Sequence, residues 1–295
     1  MRGDMHCLIS ETDREVFLMK LKYYGTAAAE GWPALFCTCS VCREARRLGG
    51  RNIRTRAQAS IDDRLLIDFG PDTYLHTLYH GLRLDRMHSC LITHSHEDHL
   101  CLDEIGYRAH DYAKETIGDR FVFYGSPSVC EILTHLAPWA RDPDRIAFSS
   151  VAPFHTYEIE NYLVTPLPAS HGIGETPPLI CYIYAIEKDG KRILYAHDTG
   201  FFPDPTWTWL HGRAFDLISL DCTLLAHRDG KNHMGIDDVL EIRDRLIRIG
   251  CGKPETRWVI NHFSHNGGIL HDELVHLMTP HGIEVAYDGM EILLS

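Results

Sequence analysis

The sequence predicts an α/β sandwich in which two β-sheets pack together and helices cover their outer faces. Strand candidates outnumber helix candidates, and the strands come in consecutive runs within each half of the chain. Most of these runs are rich in β-branched or aromatic residues and are bounded by Gly, Pro or Asp. This arrangement favours two sheets over a single doubly wound sheet. The 295 residues could form one large domain or two small ones, and they suffice to bury a large core.

The strand candidates follow from short apolar runs with turn residues at their ends. They are residues 16–25, 56–61, 64–69, 89–94, 120–125, 162–168, 178–186, 192–197, 216–221, 256–261 and 283–288. The helix candidates are residues 40–48, 71–80, 101–114, 126–138, 235–248 and 270–279. Ser126 and Pro127 supply an N-cap and a first-turn proline for the fourth of these helices. The fifth has acidic residues early, arginines late and Gly250 after its end.

Composition limits the classes of function. The net charge of −12 argues against a broad nucleic-acid surface, although bound divalent cations would still allow a small phosphate-bearing substrate. The first twenty residues contain acids and no apolar run of signal-peptide length, and no stretch reaches the length of a membrane span, so we expect a cytoplasmic protein. Ten cysteines then favour metal ligands and buried thiols over disulfides, and twenty histidines are unusually many.

The densest chemical signal is the run His94-x-His96-x-Asp98-His99, which directly follows a predicted strand. On an extended strand end, His94 and His96 point the same way and can share one ion. A turn at Glu97 would direct Asp98 and His99 towards a second ion. The run therefore predicts ligands for two adjacent metals, and surface histidines that merely cap a strand are the alternative.

Three further metal-capable residues, His171, Asp198 and His262, each follow an apolar strand and precede a polar or glycine-containing loop. Ligands at the ends of several strands of a rigid sheet are a common way to build a preorganised site. We therefore expect these three residues to lie beside the histidine run.

Three cysteines, Cys37, Cys39 and Cys42, form a C-x-C-x-x-C run near the start of the chain. Three thiolates and one imidazole would make a closed structural zinc site. The alternatives are buried free thiols or a redox pair formed by Cys39 and Cys42. Four other cysteines, Cys90, Cys130, Cys181 and Cys222, are expected to be core thiols.

The ordered set of histidines and aspartates resembles the ligand set of the metallo-β-lactamase-fold hydrolases over essentially the whole chain. The resemblance implies a four-layered αββα sandwich formed by a single domain over residues 1–295, with a dinuclear site at one edge. It also implies how the ligands divide: one metal is held by His94, His96 and His171, the other by Asp98, His99 and His262, and Asp198 bridges the two. The block at 67–72 resembles the family's early aspartate motif, which implies that Asp68 and Asp72 orient the ligands.

Residues 23–47 further resemble the N-terminal block of the PhnP-type phosphodiesterases, which act on cyclic phosphates in phosphonate breakdown. This resemblance implies that the cysteine loop at about residues 35–45 binds a structural zinc, with His265 as the fourth ligand. On an extended segment, His262 and His265 would face opposite sides and serve different sites. The resemblance also implies that His233 is a general acid or a phosphate anchor, and Asp98 and His233 are the expected catalytic residues.

These observations predict a dinuclear metal-dependent phosphodiesterase that hydrolyses a small or cyclic phosphate ester through a metal-bridged hydroxide. The ligands suit Zn, Mn or Fe at the active site, in addition to the structural zinc.

The alternatives are a thioester or lactone hydrolase of the same fold and a PqqB-like, non-catalytic binding or carrier protein. A nuclease that processes tRNA would need a basic surface or a binding arm, and neither is visible. We expect a small-molecule phosphodiester substrate and no nucleic-acid or membrane partner, and a homodimer is a candidate assembly. The aromatic segment 201–212 is expected either to border the pocket or to pack as a loop.

Overall fold

The computed structural model describes residues 19–118, 120–176 and 179–295. Residues 16–18 of the strand predicted at 16–25 lie outside these ranges. The same holds for residue 178 of the strand predicted at 178–186, and for Cys7. The strands are β1 (Met19–Gly25), β2 (Gln58–Ile61), β3 (Leu65–Ile67), β4 (Ser89–Leu91), β5 (Phe121–Gly125), β6 (Ile146–Ser150), β7 (Tyr157–Ile159), β8 (Tyr162–Pro168), β9 (Tyr182–Lys188), β10 (Lys191–Ala196), β11 (Phe215–Asp221), β12 (Gly252–Asn261), β13 (Ile283–Val285) and β14 (Glu291–Leu294). The α-helices are α1 (Ser40–Leu48), α2 (Thr73–Tyr79), α3 (Leu102–Gly106), α4 (Pro127–Leu133), α5 (Asp204–Leu210), α6 (Ile236–Arg248) and α7 (His271–Met278).

The strands form two seven-stranded mixed sheets, with the orders β14-β1-β2-β3-β4-β5-β6 and β13-β12-β11-β10-β9-β8-β7. In the orders given, the first sheet has three antiparallel pairs followed by three parallel pairs, and the second has three parallel pairs followed by three antiparallel pairs. Helix α4 packs against the first sheet, and α5, α6 and α7 pack against the second. This architecture confirms the predicted αββα sandwich. The longest described helix, α6, has 13 residues, and none of the described helices is long and apolar enough to cross a membrane.

The side-chain alternation of the strands divides the apolar residues between two cores. Leu65 and Ile67 belong to the large core that also contains the residues of the second sheet. Leu66, between them in sequence, belongs to a separate core beneath α3 and α4. Because successive side chains of a strand point to opposite faces, one short apolar strand supplies both cores.

Several buried tyrosines on one sheet form a hydrogen bond with a residue in or next to the other sheet. The Tyr23 hydroxyl on β1 lies 2.7 Å from Ser219 Oγ on β11. The Tyr184 hydroxyl on β9 donates to the carbonyl of Ile92, just after β4, at 2.7 Å. A buried tyrosine hydroxyl normally has a partner, because leaving it unpaired costs free energy. These bonds therefore fix the relative register of the two sheets.

Two predicted segments fold differently from expectation. The helix predicted at 101–114 ends at Gly106, and the chain continues in turns whose backbone hydrogen bonds mostly span three residues, such as that from the Ala109 amide to the Gly106 carbonyl. The Arg145 guanidinium binds the carbonyls of Ala113 and Lys114 at the far end of this segment. The segment 201–212 is not a loop but contains α5. Prolines 203 and 205 lie at the start of that helix, where a missing N–H and a fixed φ favour helix initiation. The strands β6, β7 and β14 are short and were not predicted.

Tyr184→Phe should lower the free energy of unfolding by about 1–2 kcal/mol, because a buried carbonyl loses its hydrogen bond across the sandwich. Urea denaturation followed by circular dichroism measures this change. Tyr79→Phe, at a side chain that is 74% exposed, removes the same atom at the surface and should change stability by less than about 0.5 kcal/mol. Equal effects of the two substitutions would contradict this account of the sheet interface.

Candidate metal centre

The metal-capable residues lie where strands of both sheets end at one edge of the sandwich. Asp68 follows β3, Asp198 follows β10 and His262 follows β12, and their φ angles are 66°, 50° and 64°. Residues other than glycine rarely adopt such left-handed conformations, which occur preferentially at functional sites. The backbone therefore turns sharply at three strand ends and directs these side chains into a common space.

The first group consists of His94, His96 and His171. His96 Nδ1 lies 2.9 Å from His94 Nε2 and 3.2 Å from His171 Nε2. The other nitrogen of His96, Nε2, donates to Glu175 Oε1 at 2.9 Å. In a neutral imidazole only one nitrogen carries a proton, so His96 Nδ1 has a lone pair.

The same argument assigns lone pairs to His94 and His171. The Thr93 hydroxyl donates to Asp68 Oδ1 at 2.9 Å, so it accepts a hydrogen bond from His94 Nδ1 at 3.0 Å. His171 Nδ1 donates to the carbonyl of Asn232 at 3.1 Å. Both Nε2 atoms are therefore unprotonated and face His96. Three converging lone pairs cannot hydrogen-bond to one another, whereas a divalent cation would satisfy all three.

The second group consists of Asp98, His99 and His262 around Asp198. Asp198 Oδ2 lies 2.9 Å from His262 Nε2 and 3.0 Å from His99 Nε2, which is itself 3.1 Å from Asp98 Oδ2. Despite these short distances, His99 Nε2, His262 Nε2 and Asp198 Oδ2 are buried without a hydrogen-bond partner. Such orphaned polar atoms are costly, so this arrangement fits a second cation.

Hydrogen bonds behind the second group again place the ring protons away from it. His99 Nδ1 donates to Asp68 Oδ2 at 2.8 Å. The Thr223 hydroxyl donates to Asp221 Oδ2 at 2.9 Å and accepts from His262 Nδ1 at 2.7 Å. The Nε2 atoms of both histidines are consequently free to bind a metal. This is the arrangement that orients metal-bound histidines in proteins.

Electrostatics favour neutral imidazoles in the first group. Burial, reinforced by the neighbouring His99, lowers the pKa of His94 well below its usual value. Burial also lowers the pKa of His171. The neutral ring is the form that binds metals, and the mixture of imidazole and carboxylate donors suits Zn, Mn or Fe.

Asp221 is a site residue that the sequence argument did not single out. It is fully buried at the end of β11, and its Oδ2 lies 3.2 Å from His233 Nδ1. Its Oδ1 also accepts hydrogen bonds from the backbone amides of Thr223 and Met234. Its position could have identified it from the sequence, because Asp221 ends an apolar strand and Asp198 closely follows one.

Asp72 does not contact the candidate ligands, unlike Asp68. Its carboxylate accepts hydrogen bonds from the side chain and the backbone amide of Arg56, at 2.9 and 2.8 Å. The expectation that it orients a ligand is therefore corrected, because its carboxylate binds a loop arginine instead. In the same motif, Gly70 matters sterically: a Cβ there would lie 2.1 Å from the carbonyl oxygen of Asp98.

His233 lies directly beside the candidate metal ligands. Its ring stacks on His262 with centroids 5.8 Å apart and packs edge-on against His171 at 4.8 Å. Burial opposes its charged form, but the carboxylates of Asp221 and Asp198 outweigh burial and raise the pKa of His233 to about 9. Nδ1 donates to Asp221, so Nε2–H remains available to a substrate oxygen.

The centre opens into a cavity of about 300 Å³, which is lined by both metal-capable groups and by polar side chains such as Glu30 and Ser264. A larger cavity of about 1060 Å³ lies between α2, α3 and β5. It contains none of the candidate ligands. We therefore place the chemistry in the smaller cavity.

The cysteine run forms a separate cluster with His265, whose ligand atoms all lie within 4.8 Å of those of Cys37, Cys39 and Cys42. Cys39 Sγ lies 3.7 Å from His265 Nδ1. A hydrogen bond from the Cys42 amide, followed by smaller contributions from His265 and Cys37, lowers the pKa of Cys39 to about 6 and so favours the thiolate. Three sulfur donors and one imidazole match a closed tetrahedral zinc site.

The segment that connects the two clusters is not extended as expected. His262 has a φ of 64°, and His265 begins a short 3₁₀ helix that ends at Gly267. This bend still places the two histidines in different clusters, so the separation arises from a turn rather than from strand alternation.

The chain is similar to several known proteins. Residues 63–251 match the family described as the beta-lactamase superfamily domain. An octanoyltransferase from Porphyromonas gingivalis is 25% identical over 94% of this chain, and the chain spans only about half, 52%, of that protein. Coenzyme PQQ synthesis protein B from Methylococcus capsulatus is 25% identical, with 94% of this chain and 100% of that protein aligned.

A solved structure described as a new diphosphatase from the PhnP family has a TM-score of 0.74 and 23% identity to this chain. The superposition covers 94% of this chain and 98% of the other, and at this identity it shows the shared fold. The family match covers more than half of the chain and agrees with the two-sheet architecture described above. The chain therefore belongs to the beta-lactamase superfamily and has the metallo-β-lactamase fold.

Proposed function

We propose that this protein is a dinuclear metal-dependent phosphodiesterase that hydrolyses a small or cyclic phosphate ester. The observation that carries the proposal is the position of Asp198 between the two groups. Its Oδ2 lies within 3.0 Å of the Nε2 atoms of His99 and His262, whereas its Oδ1 faces His171 at 3.7 Å. One carboxylate can thus serve two cations.

Two divalent cations held there would lower the pKa of a water molecule and neutralise charge on a phosphoryl group. The chain's own residues supply the remaining functions. Asp98 and Asp198 provide negative charge to the second group, and the hydrogen bonds behind the histidines hold their lone pairs in place. His233 presents Nε2–H to the cavity and can protonate the leaving oxygen or bind the phosphate.

The size and charge of the site support a small substrate. The cavity of about 300 Å³ accommodates a compact ester rather than a polymer, and the net charge of −12 disfavours nucleic acid. The likeness to a PhnP-family diphosphatase supports phosphate-ester chemistry. The likeness to coenzyme PQQ synthesis protein B supports the alternative of a non-catalytic binding or carrier protein.

We also propose that Cys37, Cys39, Cys42 and His265 bind a structural zinc that joins the N-terminal loop to the segment carrying His262. Because His262 and His265 are only three residues apart, zinc at one cluster restrains the backbone at the other. Fully loaded protein should then contain about three metal ions per chain, two at the centre and one at the cysteines. One metal per chain would favour the carrier alternative.

Asp198→Asn should abolish most of the activity on bis(p-nitrophenyl) phosphate in the presence of manganese or zinc. We expect a loss of at least about 100-fold in kcat/KM. Replacing a residue that only orients a metal ligand already lowers metal affinity or activity by about 10- to 100-fold, and Asp198 is a candidate ligand itself. Metal content measured by mass spectrometry should fall as well. Asp244→Asn, at an exposed position on α6, is the matched control. If fully metallated wild-type protein turned over no phosphodiester, the proposed function would be wrong.

His233→Gln should lower kcat for 2′,3′-cyclic nucleotides by about 100-fold, because their leaving alkoxide needs a proton. The same substitution should cost much less with bis(p-nitrophenyl) phosphate, whose leaving group is stable as an anion. Steady-state kinetics on both substrates, with the exposed His276→Gln as control, measures the difference. Equal losses on the two substrates would indicate a phosphate anchor instead of an acid.

Cys39→Ser should remove one zinc per chain and lower the melting temperature, and activity should fall only as a consequence. Metal analysis, thermal denaturation and kinetics on one preparation establish this order. Cys101→Ser, at a cysteine outside the cluster, should retain the zinc. Lost activity with unchanged zinc content and folding would contradict a structural role.

A further inference from the structure

Glu30 places a carboxylate in the cavity that contains the candidate metal centre. It lines the same space of about 300 Å³ as His96, Asp98 and Asp198, and its side chain is 32% exposed. It is not part of either metal-capable group at the centre. Its charge is therefore available to a bound substrate.

The backbone around Glu30 is fixed against the segment that follows β12 and carries the candidate ligand His262. The amide of Ala28 donates to the carbonyl of Phe263 at 3.0 Å, directly after His262. Gly31 closes a turn by donating to the carbonyl of Ala28 at 3.0 Å, with a φ of 71° that suits glycine. The position of Glu30 is thus tied to the position of the centre.

The carboxylate itself is held by the neighbouring segment. Ser264 Oγ donates to Glu30 Oε1 at 2.5 Å, and His265 Nε2 lies 3.7 Å from the same oxygen. Within the described residues, Glu30 Oε2 has no protein hydrogen-bond partner. One oxygen is anchored, and the other can accept a hydrogen bond from a ligand.

The charges around the cavity favour a substrate with a single anionic group. The described residues that line it include no Arg or Lys, and the acids among them are Glu30, Asp98 and Asp198. The two aspartates belong to the candidate centre, which can receive one phosphoryl group. With His233 committed to that phosphoryl group, a second anionic group would find no Arg or Lys and would lie near the Glu30 carboxylate, which repels it.

We propose that Glu30 is a specificity residue that selects phosphodiesters whose remaining substituents are uncharged hydroxyl donors and disfavours substrates with a second phosphate. This inference rests on the proposed function and deepens it. A ribose hydroxyl could donate to the free oxygen of Glu30, whereas a flanking phosphate could not. Glu30 therefore discriminates against nucleic-acid strands and diphosphates within the same site.

Adenosine 2′,3′-cyclic phosphate, with and without a 5′-phosphate, is a suitable pair of probes because the reacting group is identical. Wild-type protein should prefer the compound without the 5′-phosphate. Glu30→Gln, which retains the hydrogen bond from Ser264, should reduce the ratio of the two kcat/KM values by about fivefold, because the carboxylate is partly screened by solvent. The wild-type preference should also decrease with added salt.

Three further variants distinguish charge from structure. Glu30→Asp retains the charge and should retain most of the discrimination, whereas Glu30→Ala should lose it. Glu158→Gln removes one exposed charge from β7, outside the cavity, and should leave the ratio unchanged. An unchanged ratio in Glu30→Gln, or a similar reduction in Glu158→Gln, would overturn the inference.

Calorimetric binding of adenosine 3′-phosphate and adenosine 3′,5′-bisphosphate to metal-loaded protein tests Glu30 independently of turnover. Glu30→Gln should bind the bisphosphate relatively more tightly than wild-type protein does. If this shift occurs but no phosphodiester is hydrolysed, the proposed function fails and the role of Glu30 stands. If phosphodiesters are hydrolysed but wild-type protein and Glu30→Gln give the same ratio for both pairs of nucleotides, the proposed role of Glu30 is wrong and the proposed function stands.

Discussion

Two buried carboxylates, Asp68 and Asp221, determine where the protons of four site histidines lie. Asp68 accepts directly from His99 and, through the hydroxyl of Thr93, orients His94. Asp221 accepts from His233 and orients a further histidine through the hydroxyl of Thr223. A buried carboxylate is tolerated only with several donors, so each of these hydrogen bonds stabilises its aspartate and fixes a ring at the same time. The stability of this edge of the sandwich and the arrangement of its lone pairs therefore depend on the same contacts.

The sandwich supports these carboxylates from both sides. The strands that precede Asp68 and Asp221 are buried and lie in different sheets, and hydrogen bonds such as that from Tyr184 to Ile92 join the sheets. Left-handed backbone at strand ends costs free energy and persists only where the surrounding structure determines it. The two apolar cores supply that support. A small change in the packing of the sheets would therefore move the ligand atoms of both metal-capable groups.

The segment from His262 to His265 joins three features that are distant in sequence. It carries a ligand of the candidate centre, a ligand of the cysteine cluster, and the serine that holds Glu30. We therefore expect the cysteine cluster to influence substrate discrimination as well as stability. The physical link is short and rigid, because the backbone bends twice within four residues.

The sequence by itself determined the two-sheet architecture and indicated which side chains gather, because strand periodicity and clustered His, Cys and Asp residues are local signals. It also located β8 and α1 correctly. Only the tertiary structure decided the partners of those residues. The contact with His233 identifies Asp221 as a site residue, whereas Asp72 binds Arg56 instead of orienting a ligand. The contact of Arg145 with the carbonyls of Ala113 and Lys114 likewise joins residues about thirty positions apart. Hydrogen bonds between distant segments leave no periodic trace in the sequence, so folding alone reveals them.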